Sequence, residues 1–249
     1  MVQIVGIFLT GASSTGKTTL CRALEKRLEV GGIPVVHVTE VARTVMRTQG
    51  FTRQTVGTLA MQRAILRAQV EAEEKALRQI SHIIGSNESI ADRASATIVL
   101  LCDRCAIDPV VYATMKIDES EVLSLKEDPL FQKALLRYGG QAIESQLPRL
   151  GAESTTLRPI VILTDGVKEW QGIDDGVRSL YDPFDVTRYF RHTLGQMGVK
   201  YSELGENIKD IDKRVDWVLE VSGLGPLKDQ EQQTGRGQRM HQKVRTRHR

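Results

Sequence analysis

Short apolar runs alternate with longer stretches of mixed polarity along this chain. The apolar runs are rich in Val and Ile and are bounded by Thr, Gly, Pro or acidic residues, which is typical of strands buried on both faces. Four such runs are predicted to be strands, at residues 2–9, 33–38, 96–102 and 158–164, and residues 199–202 are predicted to be a short fifth strand.

The intervening stretches have helical periodicity. Leu20, Leu24 and Leu28 recur at four-residue steps and predict a helix over residues 18–29. Further helices are predicted over residues 55–80 and 208–221, with a mostly helical region that ends near residue 150. Because strands alternate with helices, we expect an α/β fold of three layers, in which βαβ crossovers build a parallel, five-stranded sheet covered by helices on both faces.

The turn between the first strand and the first helix has the spelling G-x-x-x-x-G-K-[ST]. In that setting, successive main-chain N–H groups converge on phosphate oxygens, a lysine reaches the β- and γ-phosphates, and a hydroxyl binds the accompanying Mg²⁺. Lys17 and Thr18 take these two positions, which predicts a site for ATP or GTP with Mg²⁺. The predicted phosphate contacts are Gly11, Ala12, Ser13, Ser14, Thr15, Gly16, Lys17, Thr18 and Thr19.

Charged residues follow three of the predicted strands: Glu40, the pair Asp103 and Arg104, and Asp165. Ligands of parallel sheets bind beyond the carboxyl ends of the strands, so these side chains are candidates for the site. Asp103 is predicted to serve the metal, and Glu40 and Arg104 are predicted to be catalytic.

Residues 174–178, with the spelling Asp-Asp-Gly-Val-Arg, precede two further arginines, Arg188 and Arg191. This segment is predicted to be a helical lid that folds over the nucleotide, with Arg178 as its strongest charge-stabilising candidate. The alternative is that these residues form a solvated helix face.

The chain has 249 residues, of which 41% are apolar, and lacks an internal Pro/Gly/Ser-rich linker. We therefore expect one domain over residues 1–223. Residues 224–249 form a tail without aromatic side chains, in which seven Lys or Arg face two acidic residues, and we expect it to be disordered. The tail could contact RNA or an anionic membrane, but we favour a solubilising end.

Other bulk features bound the setting in which the protein works. No apolar run approaches the ~20 residues needed to span a bilayer, and the first strand lacks the basic flank of a signal peptide. Cys21, Cys102 and Cys105 do not indicate a disulfide framework. We expect a cytoplasmic protein without a transmembrane segment.

Together these residues resemble the AAA-domain P-loop family of NadR-like and TRP-channel translocation-defect-like proteins, which is itself similar to nucleoside kinases. The resemblance covers about residues 2–221 and implies a five-stranded parallel sheet that binds ATP or GTP with Mg²⁺. It also implies that Glu40 is the catalytic base and that Arg104 lies near the phosphates and the substrate. Its motifs are residues 11–18, 40–43, 103–104, 108–113 and 174–178.

The chain departs from the family pattern in one place. Residues 90–94 partly copy the segment that begins at residue 101, and one interpretation is an insertion of roughly ten residues upstream of the third strand's functional end. Asp92 is therefore a rival to Asp103. We choose Asp103 because it follows the stronger β-run and leads directly into residues 106–109.

The function expected from the sequence is Mg²⁺-dependent phosphoryl transfer from ATP or GTP to a small, nucleoside-like hydroxyl acceptor. One alternative is a nucleotide-dependent switch, an ATPase or GTPase whose state is recognised by a protein or lipid partner. Another is a nucleic-acid-associated NTPase that uses the basic tail. The sequence leaves the acceptor, the choice of purine and the oligomeric state open.

Overall fold

A computed structural model describes residues 2–86, 96–140, 155–170, 182–225 and 227. Five strands are found in these ranges, and apolar side chains dominate the first four of them. In chain order they are β1 Val2–Thr10, β2 Val35–Val38, β3 Ala96–Asp103, β4 Thr155–Thr164 and β5 Tyr201–Leu204.

The same ranges contain eight α-helices and two single turns of 3₁₀ helix, at Arg53–Thr55 and Lys168–Trp170. The helices connect successive strands and lie over the sheet. They are α1 Lys17–Val30, α2 Ala42–Gln49, α3 Leu59–Ser86, α4 Ile107–Thr114, α5 Glu119–Lys126, α6 Pro129–Tyr138, α7 Pro183–Gln196 and α8 Ile211–Val221.

The five strands form one parallel sheet in the order β2-β3-β1-β4-β5. This confirms the predicted α/β fold and its five-stranded sheet. Leu9 of β1 lies opposite Asp103 of β3, and Thr10 lies opposite Leu163 of β4. Helix α1, which follows β1, lies on one face of the sheet, whereas the helices that follow its neighbours β3 and β4 lie on the other. A doubly wound sheet opens a crevice at such a point.

Two buried clusters, one on each face of the sheet, form the core. Alternate residues of β1 supply both clusters, with Ile4 and Phe8 on one face and Ile7 and Leu9 on the other. The first cluster contains side chains of α3, α4, α6 and α7, and the second contains those of α1 and α8. Because the central strands β1 and β3 are buried on both faces, their sequences are apolar almost without interruption.

Element ends differ from the sequence prediction by a few residues. Helix α8 begins at Ile211 and not at residue 208, because the Asp210 carboxylate accepts a hydrogen bond from the Lys213 N–H and caps the helix there. Helix α3 begins at Leu59, after a 3₁₀ turn, and continues to Ser86. Strand β4 begins at Thr155 because its pairing with β1 extends back to Val2.

Several predictions lie outside the described residues: the rival Asp92, the segment 174–178 with Arg178, and nearly all of the basic tail. The domain boundary at residue 223 and the disorder of the tail therefore stay predictions. Within the described ranges, no helix is long and apolar enough to cross a membrane.

Candidate functional site

The turn after β1 wraps tightly at the carboxyl edge of the sheet. Its backbone takes positive φ at Gly11, Ser14 and Gly16, with values of 130°, 63° and 79°. A Cβ atom on Gly11 would lie 2.6 Å from the carbonyl oxygen of Thr164, so glycine is needed there both for the φ angle and for the close approach of β4. The wrap leads directly into the N-terminus of α1, which favours anions.

Lys17, the first residue of α1, is folded back across this loop and buried. Its Nζ donates hydrogen bonds to the carbonyl oxygens of Gly11, at 2.9 Å, and Ala12, and to Oγ1 of Thr15, at 3.0 Å. Burial, followed by the nearby charge of Arg104, lowers the pKa of Lys17 to about 7. The lysine thus lies where an anion would stabilise its charged form.

Thr18 and Asp103 form a pair at the meeting point of α1 and β3. The Thr18 hydroxyl donates to Oδ2 of Asp103 at 2.6 Å, while Oδ1 of Asp103 is buried without a hydrogen-bond partner. A buried, unpartnered carboxylate oxygen beside a threonine hydroxyl fits Mg²⁺, which binds through one or two protein oxygens when phosphates supply others. No group of three or more metal-ligating side chains occurs in the described ranges.

Arg104 follows β3 and is held in an unusual conformation, with φ of 83°. Its Nε donates to Glu40 at 3.0 Å, and its Nη1 donates to Asp108 at 2.8 Å and to the carbonyl oxygen of Gly11 at 3.2 Å. Burial opposes its charge, but Glu40 and its other acidic neighbours outweigh burial and raise its pKa well above the ordinary value. Arg104 thereby ties β3, the chain after β2 and the phosphate loop together.

Glu40 lies in this cluster between two arginines. Its second carboxylate oxygen accepts a hydrogen bond from Nε of Arg43 at 2.8 Å. Burial alone would raise the pKa of Glu40, but Arg104 and Arg43 together lower it to about 2. Glu40 is therefore ionised at every physiological pH and is a weak proton acceptor.

A cavity of about 530 Å³ opens in front of the loop. The polar part of its lining includes residues 13–19, Glu40, Asp103 and Arg104. The chain from α2 to α3 and helix α4 contribute the polar Arg43, Gln62 and Asp108 together with a set of apolar side chains, called the apolar half below. The apolar half consists of Ala42, Met46, Val56, Met61, Ile65, Pro109 and Tyr112.

The structure brings together the loop, Glu40, Asp103 and Arg104. It does not bring the two predicted lid arginines to the cavity. Arg191 instead pairs with Asp165 and Glu203 beside the sheet, and exposed Arg188 pairs with Asp185. For these two residues the alternative of a solvated face is the better description, and Asp165 is likewise occupied with Arg191.

Two residues of the loop's far side were missed by the sequence analysis. Arg214 of α8 is buried and donates to the carbonyl oxygens of Thr15, at 3.0 Å, and Ile208, at 3.1 Å. Its guanidinium carbon lies 5.1 Å from the centre of the Trp170 ring, which itself packs over Gly16. The available signal was an arginine within the apolar stripe of α8, three residues after Ile211 and before Val215.

The parallel sheet and the loop at its carboxyl edge define a P-loop nucleoside triphosphate-binding domain. A model of the AAA domain family matches residues 6–214. The chain therefore belongs to the AAA domain family, which confirms the resemblance inferred from sequence.

Comparison with two NadR structures supports the same fold. The NadR protein in complex with NR is 21% identical, with a TM-score of 0.57, over 91% of this chain and 53% of that one. The NadR protein in complex with NAD and AMP-PNP is 18% identical, with a TM-score of 0.54, over 91% of this chain and 51% of that one. Thymidylate kinase from Ehrlichia chaffeensis is 15% identical, with a TM-score of 0.44, over 88% of this chain and 98% of that one.

The chain spans about half the length of the two NadR chains, and at these identities the likeness is one of fold. A search of curated proteins found no match.

Proposed function

We propose that this protein transfers the γ-phosphoryl group of ATP or GTP, with Mg²⁺, to a hydroxyl of a small nucleoside-like acceptor. The observation that carries the proposal is the cavity, whose lining joins the phosphate loop to the apolar half. A kinase needs a compartment for its acceptor in front of the γ-phosphate. The apolar half in front of the loop suits the flat body of a base.

The roles of the residues follow from their positions. Lys17 and Arg104 carry the positive charge that offsets charge on the transferring group. Thr18 and Asp103 would hold Mg²⁺, which neutralises charge on the β- and γ-phosphates when bound. The role of Arg178 as a lid residue stays a prediction.

Glu40 receives a different role from the one that the sequence suggested. A carboxylate with a pKa of about 2 takes a proton poorly, so we assign Glu40 to orienting the acceptor hydroxyl by a hydrogen bond. Phosphoryl transfer passes through a loose transition state, in which positioning matters more than early proton removal.

The NadR structures lend support from outside the chain. One contains NR, and the other contains NAD together with AMP-PNP. A protein that shares this fold over about half of its length thus binds NR in one structure, and NAD with AMP-PNP in another. These ligands are of the two classes that the proposal assigns to the cavity here, a nucleoside-like acceptor and a nucleoside triphosphate.

The test is consumption of ATP and GTP across a panel of nucleosides and related metabolites. We expect one acceptor to accelerate consumption at least about tenfold. Ile65→Trp, which narrows the apolar half, should then raise the KM of that acceptor about tenfold and leave nucleotide affinity within about twofold. Ile83→Trp, at the far end of α3, is the matched control and should change neither.

The competing switch makes the opposite prediction. Turnover that stays slow with every acceptor, combined with nucleotide-dependent affinity for a protein or lipid partner, would overturn the kinase proposal.

A further inference from the structure

A buried polar network lies behind the site, on the side of the sheet covered by α3 and α6. Glu73 of α3 and Arg137 of α6 are both fully buried, and their Oε2 and Nη1 atoms are 2.5 Å apart. The Tyr138 hydroxyl lies 2.8 Å and 3.0 Å from the two carboxylate oxygens of Glu73. Gln69, one turn earlier on α3, donates to Glu73 at 3.1 Å.

Two members of this network also contact the main chain that follows β3. The side-chain amide of Gln69 lies 3.1 Å from the carbonyl oxygen of Arg104, to which it donates. The Tyr138 hydroxyl accepts a hydrogen bond from the Ala106 N–H at 2.8 Å. Burial, followed by the charge of Glu73, raises the pKa of Tyr138 well above its ordinary value, so the hydroxyl keeps the proton that it donates to Glu73.

The main chain at these residues needs external support. Arg104 has φ of 83°, a conformation that costs a residue other than glycine about 1 kcal/mol or more and persists only where its surroundings fix it. The N–H of Arg104 donates to Leu9, and the N–H of Cys105 donates to Asp108. The carbonyl oxygen of Arg104 and the N–H of Ala106 have their partners in Gln69 and Tyr138, the only side chains of α3 and α6 that bond to this main chain among the described residues.

We propose that Gln69, Glu73 and Tyr138 are positioning residues for phosphoryl transfer, because they hold the strained turn that aims Arg104 at Glu40, Asp108 and Gly11. The proposal rests on the function proposed above. Glu73 fixes both supports, since it accepts hydrogen bonds from Gln69 and from Tyr138.

A purely structural role would not need this chemistry. Replacing a buried ion pair by apolar side chains of similar volume is often neutral or stabilising, so burial of Glu73 and Arg137 does not by itself favour folding. What apolar side chains cannot provide is a donor for the carbonyl of Arg104 and an acceptor for the N–H of Ala106. The network supplies both.

The experiment measures the turn directly, by ¹⁵N NMR of the Arg104 Nε–H group in the whole protein. This group donates to Glu40 at 3.0 Å and should exchange slowly with water; Arg104→Lys assigns its signal. In Gln69→Met and in Tyr138→Phe, exchange should become about tenfold faster, the change expected when one hydrogen bond that holds a structure is lost. Ser81→Ala removes another buried hydroxyl of α3, bonded to Leu77 of its own helix, and should leave exchange unchanged.

Two further readouts separate positioning from folding. In folded variants, kcat of the acceptor-stimulated reaction should fall about tenfold, while the Kd of the nucleotide stays within about threefold. If Tyr138→Phe does not fold, Gln69→Met carries the test, because it leaves the contacts of Glu73 with Arg137 and Tyr138 in place.

Equal Nε–H exchange in wild type and in Gln69→Met would overturn the positioning role and leave the proposed function standing. Absence of nucleotide binding by wild type would overturn the proposed function, whatever the exchange rates.

Discussion

Two largely buried arginines contact the phosphate loop from opposite sides, and the charges around them differ. On the acceptor side, Arg104 donates to the carbonyl of Gly11 and is paired with two carboxylates, Glu40 and Asp108. On the far side, Arg214 donates to the carbonyl of Thr15, and no carboxylate of the described residues forms an ion pair with it.

The contrast is visible in the two pKa values. Acidic neighbours raise the pKa of Arg104, whereas burial without compensation lowers that of Arg214 to about 10. Arg104 therefore belongs to a charge-balanced cluster whose parts depend on one another. Arg214 is an anchor for the loop, and within the described ranges its charge is stabilised by carbonyl dipoles and by the Trp170 ring.

The largest expected effect breaks the balanced side. Arg104→Met leaves the buried carboxylate of Asp108 and the partly buried carboxylate of Glu40 without their shared partner, and should lower the free energy of unfolding by about 3 kcal/mol. Chemical denaturation measures this. Arg78→Met, on the exposed face of α3, is the control and should change stability by less than about 0.5 kcal/mol. A loss below about 1 kcal/mol for Arg104→Met would show that the cluster is not interdependent.

The second effect concerns the metal. Asp103→Asn keeps an oxygen for the Thr18 hydroxyl but removes the negative charge, so Mg²⁺ should strengthen nucleotide binding about tenfold less than in wild type. Calorimetric titrations with and without Mg²⁺ measure the difference. Asp212→Asn, on the exposed face of α8, is the control. An undiminished Mg²⁺ effect in Asp103→Asn would remove this residue from the metal site.

The third effect tests the unbalanced side. Arg214→Met removes two hydrogen bonds to carbonyls but also removes a buried charge without an acidic partner, so the free energy of unfolding should fall by only about 1–2 kcal/mol. Denaturation of this variant beside Arg104→Met gives the comparison, with exposed Arg188→Met as the control. If Arg214→Met proved the more damaging of the two, the distinction between cluster and anchor would be wrong.

The smallest effect is a pH dependence. Lys17 has a pKa of about 7 in the free protein, and bound phosphates favour its charged form, so binding takes up a proton above that pH. Affinity should therefore fall as pH rises, about fivefold between pH 7 and 8. Calorimetry in buffers of different ionisation enthalpy counts the protons. Lys17→Arg, which does not titrate, should bind without proton uptake; uptake that persisted in it would assign the proton to another group.

The sequence was sufficient for the fold because its signals are local. Apolar runs buried on both faces and leucines at four-residue steps each reflect the environment of their own element. The P-loop is likewise spelled within a few residues, and the rule for strand ends correctly placed Glu40, Asp103 and Arg104 beside it.

The rest of the site depends on contacts between distant parts of the chain. Gln69 lies in α3, Tyr138 lies in α6, and both bond to the turn after β3. Because these three elements are far apart in sequence, nothing near Gln69 or Tyr138 indicates the contact. Helical spacing predicts Arg191 to be a lid residue, but it pairs with Asp165 and Glu203 instead. Helical spacing does not show which residues of other elements lie nearby in space. The first residues of α3 and α8 differ from the predicted ones, because a 3₁₀ turn precedes α3 and the Asp210 cap fixes the start of α8. Hydrophobic periodicity does not show either feature.

The central claim is that the loop between β1 and α1 binds a nucleoside triphosphate through Lys17, and calorimetry tests it most directly. Wild type should bind ATP or GTP in the presence of Mg²⁺, and Lys17→Ala should weaken binding at least about 100-fold while remaining folded. Lys26→Ala, on the exposed face of the same helix, should bind like wild type. Equal affinity of wild type and a folded Lys17→Ala would contradict the account.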